Sequence, residues 1–251
     1  MNHSTRLRIA RVVRFLKPTP QKIPLSIEEV LGKSESLDIV ERFNKLYYEG
    51  GLAGTLNWRG VPMIKNPCDL WTMLELLQTI KPVVLVETGT HHGASALYFA
   101  EMMKLLGSPL KVITIDINPK WHLDPEQFGI ESIIGYSTDR VVIERVRNVV
   151  REILQNKPGP VMVTLDSDHS EDNVTRELEL YSPLVTQNSY LVVEDTNVNG
   201  HPAALDHGPG PWEAVEKFLV THPDFVQDRA CERHLLTFFP GGWLKRVGQR
   251  C

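Results

Sequence analysis

Acidic residues close one apolar run after another in this chain: Glu87 after Val83–Val86, Asp116 after Val112–Ile115, Asp166 after Val161–Leu165, and Glu194 with Asp195 after Tyr190–Val193. Three carboxylates brought close together repel one another unless a cation or protons compensate them, so Asp166, Glu194 and Asp195 point to a metal site. Oxygen ligands suit Mg²⁺, with Mn²⁺ or Ca²⁺ as alternatives, better than zinc or copper. The Asp166-Ser-Asp168 spacing offers two carboxylates, and Asp166 is the one assigned to the metal. His169 is assigned to proton transfer, because a neutral imidazole with a pKa near ~6.5 can take a proton from an acidified hydroxyl. An orienting hydrogen bond, metal ligation and helix capping are its other readings.

The segment Glu87-Thr88-Gly89-Thr90-His91-His92-Gly93-Ala94-Ser95 reads as a tight strand-to-helix turn whose free N–H groups face a ligand. Its Gly-x-x-x-Gly-x-Ser spacing departs from Gly-x-Gly-x-x-Gly, which weakens a pyrophosphate reading and leaves a nucleoside-like cofactor. Glu87, Thr88, Gly89, Gly93 and Ser95 are the candidate cofactor residues at this turn. Asp116, one strand further on, is placed to accept hydrogen bonds from both ribose hydroxyls. Ser137, after a third strand, is expected at the adenine or the cofactor periphery.

These residues need elements to position them. From Val83 onward, strand and helix patterns alternate: strands at Val83–Glu87, Lys111–Asp116, Glu131–Ile134, Val161–Leu165 and Ser189–Val193, with helices after Gly93, at Asp139–Leu154, near Asp172–Leu184 and at Pro211–Val220. Such alternation predicts a doubly wound α/β fold with a mainly parallel sheet, and His234–Phe239 is expected as a late antiparallel strand. Upstream, an amphipathic stretch at Leu37–Tyr48 leads to a loop carrying Thr55, Trp58, Gly60 and Lys65, read as a lid. A helix starts at Pro67 and Asp69, with Leu70, Met73, Leu74 and Leu77 on one face. His207-Gly-Pro-Gly-Pro-Trp212 is expected to form a wall over the metal edge, and Asp172 to serve a helix terminus.

Bulk properties set limits. The 251 residues suit one α/β domain with extensions, and 27 Lys plus Arg against 31 Asp plus Glu leave no basic footprint for nucleic acid. Cys68, Cys231 and Cys251 form no metal or disulfide pattern, which predicts a cytoplasmic protein. Residues 1–27 carry Arg6, Arg8, Arg11, Arg14, Lys17 and Lys22 and no acid. This arm suits self-docking, a partner subunit such as a second copy of the chain, or peripheral contact with an anionic membrane. The expected organisation is the arm at 1–27, a helical lid segment at 28–82 and a core at 83–251.

The motifs Glu-Thr-Gly-Thr-His-His-Gly-Ala-Ser, Leu-Asp-Ser-Asp-His-Ser, Val-Glu-Asp-Thr and Gly-Pro-Gly-Pro-Trp-Glu-Ala together resemble the cephalosporin hydroxylase family, over roughly Tyr47 to Arg246. The resemblance implies a class I methyltransferase fold and an S-adenosylmethionine-dependent, Mg²⁺-dependent O-methyltransferase acting on a small molecule, a sugar or a glycolipid. It places Asp166, Glu194 and Asp195 at the metal and the Gly89 turn with Asp116 at the cofactor. The Glu-x-Gly-x-x-x-Gly-x-Ser spacing is also similar to catechol-type O-methyltransferases, which carry a lysine where this chain has His169. The rivals are a hydroxylase, disfavoured because no two-histidine iron set is evident, a nicotinamide oxidoreductase, and a non-catalytic cofactor-binding partner protein.

Overall fold

The computed structural model describes residues 34–248. The basic arm, the opening of the 28–82 segment and Cys251 therefore lie outside the described residues.

Seven strands form the central sheet: β3 (Val84–Thr88), β4 (Lys111–Asp116), β5 (Ile130–Ile134), β6 (Val161–Leu165), β7 (Tyr190–Val193), β8 (Phe225–Gln227) and β9 (Trp243–Arg246), preceded by a separate hairpin of β1 (Leu56–Trp58) and β2 (Val61–Met63). The order across the sheet is β5-β4-β3-β6-β7-β9-β8. Neighbours from β5 to β7 pair in parallel, and β9 runs antiparallel to both β7 and β8. The chain starts at β3, works outward to β5 and then returns to the other side of β3, so the order reverses between β3 and β6. At such a reversal the connections on the two sides leave in opposite directions, opening a crevice beyond the carboxyl ends of the strands.

Strict alternation along each strand builds two cores. Val84 and Val86, Ile113 and Ile115, and Val161, Val163 and Leu165 face one layer, made by α4 (Arg140–Asn156), α5 (Glu171–Tyr181) and α6 (Pro211–Thr221). Leu85, Val112, Met162 and Val192 face the opposite layer, made by α2 (Pro67–Ile80) and α3 (Ala94–Leu105). Each fully buried aliphatic side chain contributes about 1.5–3 kcal/mol, so strands apolar on both faces are held from both sides. Leu70, Met73 and Leu77 of α2 belong to the second core. That helix is thus packed into the same body as the sheet, although it falls within the segment expected as a lid. α1 (Ser34–Glu49) joins it through Asn44, whose Nδ2 donates to the Thr237 carbonyl.

The late strand differs from expectation. His234–Phe239 is irregular, with Leu235 at φ 66°, and the antiparallel strand is β9. The backbone of 234–239 finds partners other than a ladder: Phe238 N donates to the buried Asp69 carboxylate at 2.8 Å, and the Thr237 carbonyl accepts from Asn44. Among the described residues no helix is long and apolar enough to cross a membrane.

Candidate active site

The parallel ladder runs one residue past the strand ends. Gly89 N donates to the Ile115 carbonyl, Asp166 N to Thr88 and Glu194 N to Leu165, at 2.8 to 3.0 Å. The residues that follow are consequently delivered to one edge, where they surround a cavity of about 730 Å³. That size lies within the ~300–1,000 Å³ common for small-molecule sites.

At the β3 and β4 ends, Gly89 makes the decisive turn. Its φ is +86°, and a Cβ there would lie 1.7 Å from the Asp166 carbonyl oxygen. Gly93 caps α3 at φ +77°, and a Cβ on it would strike the Trp121 ring. Ala94 and Ser95, at the first turn of α3, line the cavity, where first-turn N–H groups lack intrahelical acceptors. Asp116 also lines it, with Oδ2 accepting from His91 N and Oδ1 from Asn118 N, both at 2.8 Å. Each oxygen keeps a further lone pair for a ligand hydroxyl. Ser137 is a lining residue as well, fixed through its carbonyl by the Tyr181 hydroxyl.

Three of the expected cofactor residues stand behind the cavity wall. Glu87 is fully buried, and its oxygens accept from Ser95 Oγ at 2.5 Å and Thr114 Oγ1 at 2.7 Å. Burial raises its carboxyl to about 7 against the opposing pull of Lys65 and the two hydroxyl donors. Glu87 therefore braces the turn, contrary to the expectation that it meets the ligand. Thr88 is equally buried and accepts from Asp166 N through its hydroxyl, and Gly93 shapes the turn under Trp121.

The acid cluster stands at the β6 and β7 ends. Asp195 has a left-handed backbone, φ 54°, an excursion costing about 1–3 kcal/mol that clusters at functional positions. His169 Nε2 lies 3.3 Å from Asp195 Oδ2 and 3.8 Å from Asp166 Oδ1. Asp166, His169 and Asp195 can each bring a donor atom within 4.8 Å of the others, the span of a single cation. Glu194 is arranged otherwise than expected for a ligand: Oε2 accepts from Lys65 Nζ at 2.5 Å and Oε1 from Thr164 Oγ1 at 2.8 Å. Lys65 Nζ also reaches Asp166 Oδ2 at 2.5 Å. Burial raises the Asp166 and Asp195 carboxyls, and Glu194 to about 7, with Lys65 or His169 opposing. Acids held reluctant to ionise in this way fit a divalent cation, which offsets the charge that burial penalises. Asp166, His169 and Asp195 fit one cation, while each oxygen of Glu194, expected as a third acid ligand, carries one hydrogen bond.

Asp168 is excluded from the cluster by helix entry, since its Oδ1 accepts from Ser170 N and this bond holds its carboxyl below the usual range. Asp172 lies in the first turn of α5, as expected. The 207–212 segment packs behind His169, and a Cβ on Gly210 would lie 3.1 Å from the His169 carbonyl; it braces the histidine without lining the cavity. His201 stacks on Trp212 and meets Glu213, away from the reacting edge.

Four cavity residues were not among the expected site residues, although Lys65 falls in the loop read as a lid. Lys65 is a lone lysine in a loop, 101 and 129 positions from its two partners. Tyr48 ends an amphipathic helix, yet it faces Asp195 and Asp166, which together with burial raise its hydroxyl pKa. Asn66 borders the cavity and caps α2 through Oδ1, while its Nδ2 is buried with no partner. Phe238 contributes an apolar wall against Tyr48, ring centroids 4.9 Å apart. Only the Asn66-Pro67 pair, a helix-start signature, could have placed one of them.

A family model described as Rhamnosyl O-methyltransferase/CmcI matches residues 51–247. The chain belongs to this family. Its members include the rhamnosyl O-methyltransferase of Mycobacterium leprae, 39% identical over 212 residues that cover 83% of this chain and 90% of that protein. The Mycobacterium tuberculosis H37Rv rhamnosyl O-methyltransferase is 37% identical over 216 residues, covering 83% and 85%. The resemblance read from the four motifs thus holds, and family membership makes the chain an O-methyltransferase. The fold is shared with the apo-structure of CmcI, at TM-score 0.61, 21% identity and coverage of 78% and 77%. The Mg-SAM form of CmcI gives TM-score 0.60 at 20% identity, covering 78% of each chain. The doubly wound methyltransferase fold is therefore common to both.

Proposed function

We propose that this O-methyltransferase moves the methyl group of S-adenosylmethionine to a hydroxyl of a saccharide or other small acceptor, with a divalent cation, Mg²⁺ first, at the acid cluster. The observation that carries this reading is the opening of two unlike sites onto one cavity: the Gly89 turn with Asp116, and Asp166 with His169 and Asp195. Solved relatives of the same fold are described with Mg and SAM, and the more similar sequence relatives are named rhamnosyl O-methyltransferases.

In this reading Asp116 would accept the ribose hydroxyls, the Gly89–Ser95 turn would donate to the methionyl end, and Ser137 would border the adenine. Asp166, Asp195 and His169 hold the cation, with Glu194 fixed behind them. The cation supplies charge that orients the acceptor hydroxyl and makes it more acidic. The acceptor oxygen attacks the methyl carbon as the carbon–sulfur bond breaks, and sulfur leaves with the bonding pair as neutral thioether. With its lone-pair nitrogen on the cation, His169 is not free to act as the base expected from the sequence, and solvent takes the hydroxyl proton, while Tyr48 and Phe238 wall the acceptor. Holding the reacting atoms in line removes much of the entropic barrier, which is what a cavity fixed on strand ends provides.

The test is methyl transfer by the purified full chain to rhamnosyl-bearing and other vicinal-diol saccharides, read as gain of one methyl by mass spectrometry. EDTA should abolish it and Mg²⁺ restore it. Full activity in rigorously metal-free protein defeats the metal role. No binding of S-adenosylhomocysteine by calorimetry defeats the cofactor assignment.

A further inference from the structure

Lys65 is the least expected occupant of the cavity. It comes from the loop after β2, outside the sheet, yet its side chain is 7% exposed and its ammonium bridges two of the three clustered acids. Both Glu194 oxygens are engaged, Oε2 by Lys65 and Oε1 by Thr164, whereas Asp166 keeps Oδ1 facing His169. Counted as charges, Asp166, Glu194 and Asp195 sum to three negatives and Lys65 returns one, leaving two: the charge of one divalent ion.

We propose that Lys65 is the built-in counter-cation of the acid cluster, a positioning residue that gathers Glu194 and one oxygen of Asp166 and sets how strongly the site takes a divalent cation. This rests on the metal reading above. Without Lys65, the buried Glu194 and the half-buried Asp166 and Asp195 would face one another with only His169 between two of them, and the cluster would depend on a bound cation to stay together. With Lys65 the acids remain assembled while the site is empty. The same fixed positive charge repels the incoming ion, so the affinity is held down. A loop lysine thus trades tight binding for a preformed site.

The experiment uses the full chain with MgCl₂ or MnCl₂ as probe, without methyl donor. Lys65→Met keeps the side-chain volume and removes the charge. Calorimetry at pH 8 should show its metal dissociation constant at least about tenfold tighter than wild type, the effect of one like charge removed at close range from a partly screened site. In EDTA its melting temperature should fall by roughly 5–10 °C, as expected for a buried pair that loses one partner, and Mg²⁺ should restore most of that loss. Lys65→Arg, which keeps the charge, should stay near wild type in both measurements. If Lys65→Met unfolds in EDTA but folds in Mg²⁺, the same conclusion follows in stronger form. Unchanged or weaker metal affinity in a folded Lys65→Met overturns the proposal and leaves the metal site standing, as does a variant that unfolds equally with and without cation. A wild type that binds neither ion removes the metal reading and this inference together.

Discussion

The two halves of the sheet edge carry the same sequence signal, an acid at the end of an apolar strand, and resolve it by different physics. On the β3 and β4 side, neutral donors satisfy the carboxylates: Ser95 and Thr114 on Glu87, the backbone of His91 and Asn118 on Asp116. On the β6 and β7 side a charge does so, because Lys65 sits on Asp166 and Glu194 and His169 stands between Asp166 and Asp195. Of the two hydrogen-bonded acids, Asp116 lines the cavity and keeps lone pairs for a neutral ligand, while Glu87 stays behind the wall. Acids held by a cation form a field that selects for another cation. The first half is built to recognise hydroxyls and the second to gather charge, although a strand-end Asp looks alike in both.

If this division is real, changes on one side should leave the other intact. The largest effect is expected at Asp166→Ala, which removes a cation ligand. Turnover should fall by about 10³-fold or more, the loss of several kcal/mol of charge stabilisation, while S-adenosylhomocysteine affinity measured by calorimetry stays close to wild type. Equal damage to both would merge the halves into one unit. Asp116→Ala should give the converse, weakening S-adenosylhomocysteine by about 10- to 100-fold through lost hydrogen bonds to a charged acceptor, with Mg²⁺ affinity unchanged. The smallest effect is expected at Glu87→Gln. Burial raises the folded carboxyl from 4.5 to about 7, so the folded state binds more protons between those values. The wild type should therefore lose of order 1–3 kcal/mol of stability as pH rises from about 4.5 through 7, and the variant should lack that loss. Urea unfolding of both proteins at pH 5 and pH 8 reads the difference, and parallel pH dependences would show that Glu87 carries no such penalty.

What was legible in the sequence follows from the same contrast. Lys111–Asp116 and Val161–Leu165 end where the apolar runs end, because strands buried on both faces are largely apolar, with Asp116 closing the first and Asp166 following the second. The acids were consequently visible, as was the Gly89 turn. Orientation was not. Glu87 turns inward because Ser95 and Thr114, eight and 27 positions away, supply donors there, and Glu194 turns to Lys65 from the other end of the chain. The three-residue β8 and the four-residue β9 escaped for a related reason: short antiparallel edge strands owe their structure to pairing partners more than to their own pattern. His234–Phe239, with alternating bulk, mimicked a strand, yet Asp69 and Asn44 captured its backbone first.

One contact determines what this scaffold can vary. With a Cβ excluded at Gly89 by the Asp166 carbonyl, the Gly89 turn and the Asp166 backbone are packed directly against each other. The walls around that turn come from elsewhere: Tyr48 from a helix before the sheet, Pro62 and Ile64 from the hairpin segment, Phe238 and Phe239 from an irregular loop. Turn and walls therefore rest on different segments of the chain, so that, for the reaction proposed here, loops could be rewritten to suit another acceptor while the turn stays in place.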